Sequence, residues 1–499
     1  MQKRSTLEER LLKAAILALP LRVLSFIQLG YGFFQPATLL MIVATSIHAA
    51  RKIVNPSMVN FRSHQTFGTR LATLSIPFFF VIAIASTVVG LLLGTGDNYL
   101  KATGILISLI IFFSTYYTVS NLNKKPGFAI DCFKSYVWVA TFLCTATILE
   151  AIVDVATGRN WIQLFLGEIL RSLPYPHTEY SYWMQYQLGG RYKGLMTEPR
   201  DLGTFTLPAL GAVVASLAIT GRKLYSTSLL RLMILVIGNL LTKSATTYLF
   251  ILGIFAFFLP LLINNIIFAG RIGGLSSYKL EPRRILQFVL IFGILVFIVA
   301  SFYSSLPIDI RERVEAIAAI IVYPNGAKDL ISGLNLSVTI YFLAVSATVY
   351  SLQQNWLLGV GLGAHSVSHD AVTTDVIFRL VDLNRSDAYS MGLRLLSEVG
   401  ILGAVAFIAI FWLRIAQFKQ HFSRMRKRLC VDEDASERLL ELYQVGQKFF
   451  VIHTAVTVEL AFILLNEPTY FNPLPPLLLG FCWKLSYIEN SLPLSKDTF

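Results

Sequence analysis

The feature that most constrains this chain is a succession of long apolar runs separated by short connections rich in lysine and arginine. A helix needs about 20 apolar residues to cross the hydrocarbon layer of a bilayer, with roughly 17 as the practical minimum. Twelve runs meet or approach that length: about 14–31, 34–50, 71–94, 103–120, 135–157, 202–220, 226–242, 245–267, 286–305, 394–414, 448–466 and 472–487. The chain is therefore read as an all-α polytopic membrane protein with about 12 transmembrane helices. The first two runs are short and meet at the tight Gly30-Tyr31-Gly32 turn, which also fits a helical hairpin. The last run carries Pro473, Pro475 and Pro476 near its start.

Composition agrees. Charged residues make up 14% of the chain, against about a quarter in an ordinary soluble domain. The net charge of +13 does not mark a nucleic-acid partner, because the cations lie in the connections between apolar runs, as the positive-inside pattern requires. Cys132, Cys144, Cys430 and Cys482 form neither a metal spacing nor a disulfide framework. No cofactor signature and no metal-ligand cluster is present in the sequence. Thr6-Leu7-Glu8-Glu9 reads as a capping box that opens a helix, and no small-residue cleavage site follows it, so the N-terminus is expected to remain uncleaved.

The basic connections set an orientation. Lys3, Arg4, Arg10 and Lys13 precede the first run, and Arg51, Lys52, Arg62 and Arg70 follow the second. Lys124, Lys125 and Lys134, then Arg222 and Lys223, then Arg271, Lys279, Arg283 and Arg284, then Arg414 to Arg428 fall on the same side if there are twelve spans. That side is the cytoplasm, and both termini are then inside. The expected organisation is residues 1–157 as helices 1–5, 158–201 as a first external loop, 202–305 as helices 6–9, 306–393 as a large external loop, and 394–499 as helices 10–12 with a basic cytoplasmic loop. Leu336 to Leu352 is nearly apolar enough to span. Counting it would place the basic 415–430 stretch outside, so it is read as a half-buried or re-entrant helix roofing a cavity. Asn160 to Leu170, led by Trp161, has helical periodicity and is read as a helix lying on the membrane surface.

Both external loops carry arginines on the side where arginine is normally scarce. The densest stretch runs from Gly190 to Gly203 and includes Arg191, Lys193, Glu198, Pro199, Arg200 and Asp201. Arginine presents a rigid fork of donors suited to phosphate. An anionic ligand is a natural reason to keep these cations. The plainer alternative is pairing with Glu198, Asp201 or lipid headgroups.

Four stretches, taken in order, resemble one family. They are Arg191-Tyr192-Lys193-Gly194 with Glu198-Pro199; Leu241-Thr242-Lys243-Ser244-Ala245-Thr246-Thr247-Tyr248; Asn355-Trp356-Leu357-Leu358-Gly359-Val360-Gly361-Leu362-Gly363; and Glu398-Val399-Gly400-Ile401-Leu402-Gly403. On this topology the set resembles the bacterial O-antigen and exopolysaccharide polymerases of the Wzy type and their O-antigen ligase relatives. The resemblance covers roughly residues 190–405. It implies a GT-C-like architecture and a reaction on the outer face of the bacterial cytoplasmic membrane. The implied donor is a glycan on undecaprenyl diphosphate, the acceptor is a second lipid-linked repeat unit, and a chain-length regulator is a further partner. The ligases carry a histidine–asparagine pair shortly before the Glu-x-Gly. This chain has Ser386-Asp387-Ala388-Tyr389 there, with His365 and His369 well upstream, which favours polymerase over ligase.

On this reading Arg191, Lys193, Arg200, Arg379 and Arg385 are the diphosphate-binding candidates, and Glu198, Asp387 and His365 are the candidates for removing the acceptor proton. No metal is needed if arginines supply the charge. Glu198 lies between two arginines, which would also lower its pKa and weaken it as a base. Gly359 to Gly363 lacks the strand–helix context of a dinucleotide fingerprint and is read as a turn allowing close backbone approach. The carboxylates Glu150, Asp154, Glu398 and Glu459 fall within or beside spans and support a rival of another class, a 12-span ion-coupled transporter.

Overall fold

The computed structural model describes residues 6–19, 27–29, 32–54, 67–92, 99–122, 126–172, 191–196, 199–220, 226–268, 336–372, 390–431, 437–466 and 474–481. In chain order these form α1 (Leu7–Ala18), a hairpin of β1 (Ile27–Leu29) and β2 (Gly32–Phe34), α2 (Pro36–Val54), α3 (Phe67–Leu92), α4 (Tyr99–Leu122) and α5 (Pro126–Thr157). They continue with α6 (Trp161–Ser172), α7 (Pro199–Thr220), α8 (Ser226–Leu241), α9 (Ala245–Phe268) and α10 (Leu336–Gln354). The last four are α11 (His365–Val372), α12 (Met391–Val431), α13 (Glu437–Asn466) and α14 (Leu474–Phe481).

Among the described residues the apolar runs after the first form helices, as a polytopic membrane protein requires. Seven described helical segments are long and apolar enough to cross a bilayer: Pro36–Val54, Leu74–Leu92, Leu100–Ser120, Gly127–Thr157, Pro199–Ala218, Met391–Leu413 and Val445–Leu465. Thr227–Leu241 and Thr246–Phe258 are shorter apolar helices beside them. The expected span 286–305 lies outside the described residues.

The first run is a correction. Neither a span over 14–31 nor a helical hairpin forms there. The capping box is present, with Thr6 Oγ1 accepting from the Glu9 amide and the Glu9 carboxylate accepting from the Thr6 amide. The helix it opens has only 12 residues, about 18 Å at 1.5 Å per residue. Ile27↔Phe34, Gln28↔Phe33 and Leu29↔Gly32 then pair antiparallel. That register leaves two connecting residues, the first a glycine, which suits a tight β-hairpin.

Helix α7 is the centre of the bundle. Every residue from Asp201 to Ala215 is buried. Small residues let its neighbours approach closely: Gly203 faces Thr247 of α9 and Phe462 of α13, and Gly211 faces Val458 of α13. Polar side chains inside it are satisfied locally. Thr206 donates to the Leu202 carbonyl at 2.7 Å and meets Asn239 Oδ1 at 2.8 Å. Around this centre, α3 packs along α12, α5 along α8, and α4 along α14. A cluster of Phe79, Phe112, Phe113, Phe407 and Phe411 knits α3, α4 and α12, with ring centroids 4.8–6.4 Å apart.

The contacts sort the helix termini into two ends. At one end lie the C-termini of α3, α5, α8 and α13 and the N-termini of α4, α7, α9 and α12. Gly90 abuts Val360, Gly363 abuts Lys101, Gly194 abuts Thr147, Gly203 abuts Phe462, and Gly392 abuts Leu464. At the opposite end Arg51 pairs with Glu8 at 2.8 Å, and Lys52 Nζ donates to Tyr117 Oη at 3.0 Å. The motif-bearing residues that are described all sit at the first end.

Candidate functional site

The segment Arg191–Met196 enters α7 from a short non-helical path and is held from two sides. On one side is the corner between α8 and α9. The Tyr192 amide donates to the Leu241 carbonyl at 3.2 Å, and Arg191 Nε donates to the Thr242 carbonyl at 3.2 Å. On the other side is the end of α5 with the start of α6. Tyr192 Oη donates to Asp154 Oδ2 at 2.9 Å, Gln163 Nε2 donates to the Gly194 carbonyl at 2.9 Å, and the amides of Lys193 and Gly194 reach the Glu150 carboxylate. Burial and the nearby Asp154 carboxylate push the Tyr192 phenol up to about 12, so it stays a neutral donor. Arg191 and Arg200 are half-buried and Lys193 is buried. Asp201 is buried in the first turn of α7, where the helix dipole favours a carboxylate. The main chain of this segment is thereby held between α5, α6 and the corner of α8 and α9, and it leads into α7, where Arg200 lies in the first turn.

A second polar centre lies at the same end. Helix α12 breaks at Gly400, where φ is 65° and ψ is −169°, a region open to glycine almost alone. The two helical bonds that would run from Ile401 to Ser397 and from Leu402 to Glu398 are exchanged for four others. The Ser397 and Glu398 carbonyls accept from the amides of Val360 and Gly361, both at 3.0 Å. The amides of Ile401 and Leu402 donate to the carbonyls of Trp356 and Leu357 at 3.0 and 3.2 Å. The glycine-rich stretch 359–363 is therefore a structural insert that completes a broken helix, as its reading as a close-approach turn anticipates. Ser86 of α3 adds a bond to the Glu398 carbonyl.

Just before the break, Arg394 and Glu398 form a buried ion pair at 3.0 Å. Beside them Ser397 Oγ lies 2.7 Å from Ser351 Oγ and 3.1 Å from His365 Nδ1, and Ser351 Oγ donates to Ser368 Oγ at 2.7 Å. His365 is fully enclosed. Burial, then the positive charge of Arg394, lowers its pKa to about 3, so it is neutral at physiological pH. Helix α10 runs in the same sense as the start of α12 and meets it at Thr348–Leu393 and Ser351–Ser397. The end of α13 separates the two centres, with Phe462 against α7 and Leu464 against α12.

Of the site residues expected from sequence, Arg191 and Lys193 lie on one loop, Arg200 lies in the first turn of α7 that follows it, and His365 lies in the second centre. Glu198, Asp387, Arg379 and Arg385 lie outside the described residues. Sequence reasoning missed Arg394, Ser351 and Ser397, and gave no partner to Glu398 or Glu150. One signal was available: Arg394 and Glu398 stand four apart, which places them on one helical face. Among the described residues no group of three or more His, Cys, Asp or Glu side chains is arranged to hold a metal. No model of a known protein family matches this chain, and no curated protein matches it in sequence.

Proposed function

We propose that the protein is a polysaccharide polymerase that joins undecaprenyl-diphosphate-linked repeat units on the outer face of the bacterial cytoplasmic membrane. One observation carries this reading: a loop bearing Arg191 and Lys193 is held at one end of an apolar helical bundle and leads into the most enclosed of the candidate spans, with Arg200 in its first turn. A lipid diphosphate needs that combination, with an apolar wall for the lipid and rigid cations for the phosphates at its boundary. Charge-assisted hydrogen bonds contribute about 1.5–3 kcal/mol each, and they strengthen as charge builds on the departing diphosphate. The reading includes a GT-C-like architecture and no metal in the reaction. Glu198 or Asp387 takes the acceptor proton. With a pKa near 3, His365 would be a weak base, since an effective one has a pKa near the working pH.

The test is a mass spectrum of undecaprenyl-linked glycans from a strain lacking the protein. Single repeat units accumulating on the lipid identify a polymerase. Long polymer accumulating there would instead identify an O-antigen ligase, and an unchanged lipid-linked pool would favour a transporter. In complemented strains, Arg191→Ala and Arg200→Ala should each lower polymer output about 10- to 100-fold, the factor that 1.5–3 kcal/mol represents, with the protein still in the membrane. Wild-type polymer from both variants would refute the diphosphate clamp.

A further inference from the structure

Glu150 sits fully buried near the end of α5, in a segment apolar enough to span a bilayer. A carboxylate there is expensive unless its oxygens are met by donors. They are. Oε1 accepts from Asn160 Nδ2 at 2.7 Å, and Oε2 accepts from the Lys193 amide at 3.1 Å and the Gly194 amide at 2.6 Å. Two of these donors are main-chain groups of the cationic loop, which is remote from Glu150 in sequence. All three bonds are donated to the carboxylate, so it acts here as an acceptor on both oxygens.

One turn earlier, Thr147 touches the same loop. A Cβ at Gly194 would lie 2.6 Å from Thr147 Oγ1 and 3.2 Å from the Leu143 carbonyl, and Gly194 has φ of 60°. The loop therefore lies directly on the α5 backbone, and Gly194 is the residue that permits it. Gln163 closes the arrangement by donating to the Gly194 carbonyl at 2.9 Å.

We propose that Glu150 is the positioning residue of the cationic loop. Its carboxylate fixes the backbone at Lys193 and Gly194, and so fixes where the flanking Arg191 and Arg200 present their charge. The carboxylate that would support ion coupling is instead occupied in holding a ligand-binding loop. The proposal rests on the polymerase reading for what the loop binds. It does not rest on that reading for what holds the loop. A displacement of about 1 Å at a reacting centre costs roughly 100-fold in rate, so a looser loop should act through turnover.

The experiment pairs hydrogen exchange with polymer synthesis, using the full chain in lipid nanodiscs and undecaprenyl-diphosphate-linked repeat units as the probe. Glu150→Gln keeps the shape but turns an NH2 group toward an N–H donor. Glu150→Asp keeps the carboxyl group on a shorter arm. Gln163→Ala removes the bond to the Gly194 carbonyl while leaving the Glu150 carboxyl group in the chain, and it serves if Glu150→Gln fails to accumulate. The peptide carrying residues 191–196 should exchange at least ~10-fold faster in Glu150→Gln, with α7 and α13 unchanged. Polymer turnover should fall about 100-fold, and Glu150→Asp should recover part of it. General destabilisation would instead raise exchange in α7 and α13 as well. Unchanged exchange at 191–196 in Glu150→Gln and Gln163→Ala would overturn the proposal. So would faster exchange with full turnover in a protein whose Arg191→Ala variant is inactive. If Arg191→Ala and Arg200→Ala are also fully active, the polymerase reading falls, and the exchange data alone decide whether Glu150 holds the loop.

Discussion

Gly400→Ala should be among the most damaging single-methyl changes in this protein. Gly400 has φ of 65° and ψ of −169°, and a residue with a Cβ pays about 1–3 kcal/mol to adopt such a conformation. The added methyl would also overlap the Leu357 carbonyl. That is main chain, which cannot rotate aside, and forcing a group into a filled site costs about 1–3 kcal/mol more. If residues 356–361 retreat to make room, they release the four main-chain bonds that close the break in α12, each worth about 1 kcal/mol. The first route gives a loss of about 2–6 kcal/mol and the second, with the backbone cost retained, about 5–7 kcal/mol. The unfolding entropy of ~2.1 cal/mol/K per residue implies that 1 kcal/mol shifts the melting temperature of a 499-residue chain by roughly 1 °C. The variant should melt about 2–7 °C lower in detergent, read by intrinsic fluorescence. Gly253→Ala is the control. It lies in α9 with nothing within 4 Å of the added Cβ, and a helical Gly→Ala change is worth up to about 1 kcal/mol in the favourable direction. A Gly400→Ala protein melting within 1 °C of wild type would refute the account of the break.

The buried ion pair gives an asymmetric prediction. Arg394→Ala deprives the fully buried Glu398 of its guanidinium partner and should cost about 3–5 kcal/mol, whereas a double replacement with Met and Gln should cost much less; equal melting of the two variants would count against a buried pair. His365 gives a pH dependence. Its folded pKa, about 3, lies below the ordinary value near 6.5, so the unfolded chain binds the extra proton between those limits. The stabilising contribution of neutral His365 is complete above pH ~6.5 and is lost as pH falls toward 3, at up to about 1.4 kcal/mol per unit. The melting temperature should fall across that window, less steeply in His365→Gln; identical slopes would exclude His365 as the cause.

Apolar runs were legible because lipid demands length and continuity, and the helices over Tyr99–Leu122, Pro126–Thr157, Pro199–Thr220 and Glu437–Asn466 enclose the runs that announced them. The capping box at Thr6 was legible because it is closed by neighbours in sequence. The hairpin at residues 27–34 was not. Its strands are three residues each, too short for an alternating pattern to stand out against apolar surroundings. The break in α12 was half legible. Gly359, Gly361 and Gly363 advertised a close approach, but what they approach is set largely by the main chain of three helices distant in sequence, α12, α3 and α4 respectively. Residue identity says little about such partners, since any residue offers the same carbonyl. The same limit hid the role of Glu150. Its position in a span marked it as unusual, but the donors that satisfy it are amides of a loop beyond the next helix. Arg191, Lys193 and Arg200 were legible as a group because charge is scarce in this chain. Their mutual support was not, because it comes from five separate elements.

The exchange of hydrogen bonds at Gly400 also bears on how the protein is made. The gap in α12 is filled by residues 356–361, and that insert rests on Ser86, Thr87 and Gly90 of α3, from the first fifth of the chain. A ribosome delivers α3 long before it delivers either the insert or α12. Until α12 arrives, the insert has amides and carbonyls without their final partners, and α3 has a bare flank. Biogenesis must therefore hold an early helix and a late one in register across most of the polypeptide, and the final closure joins the first third of the chain to the last. A cut anywhere between Leu92 and Met391 should yield fragments that need each other to mature, so the bundle is assembled as one cooperative unit.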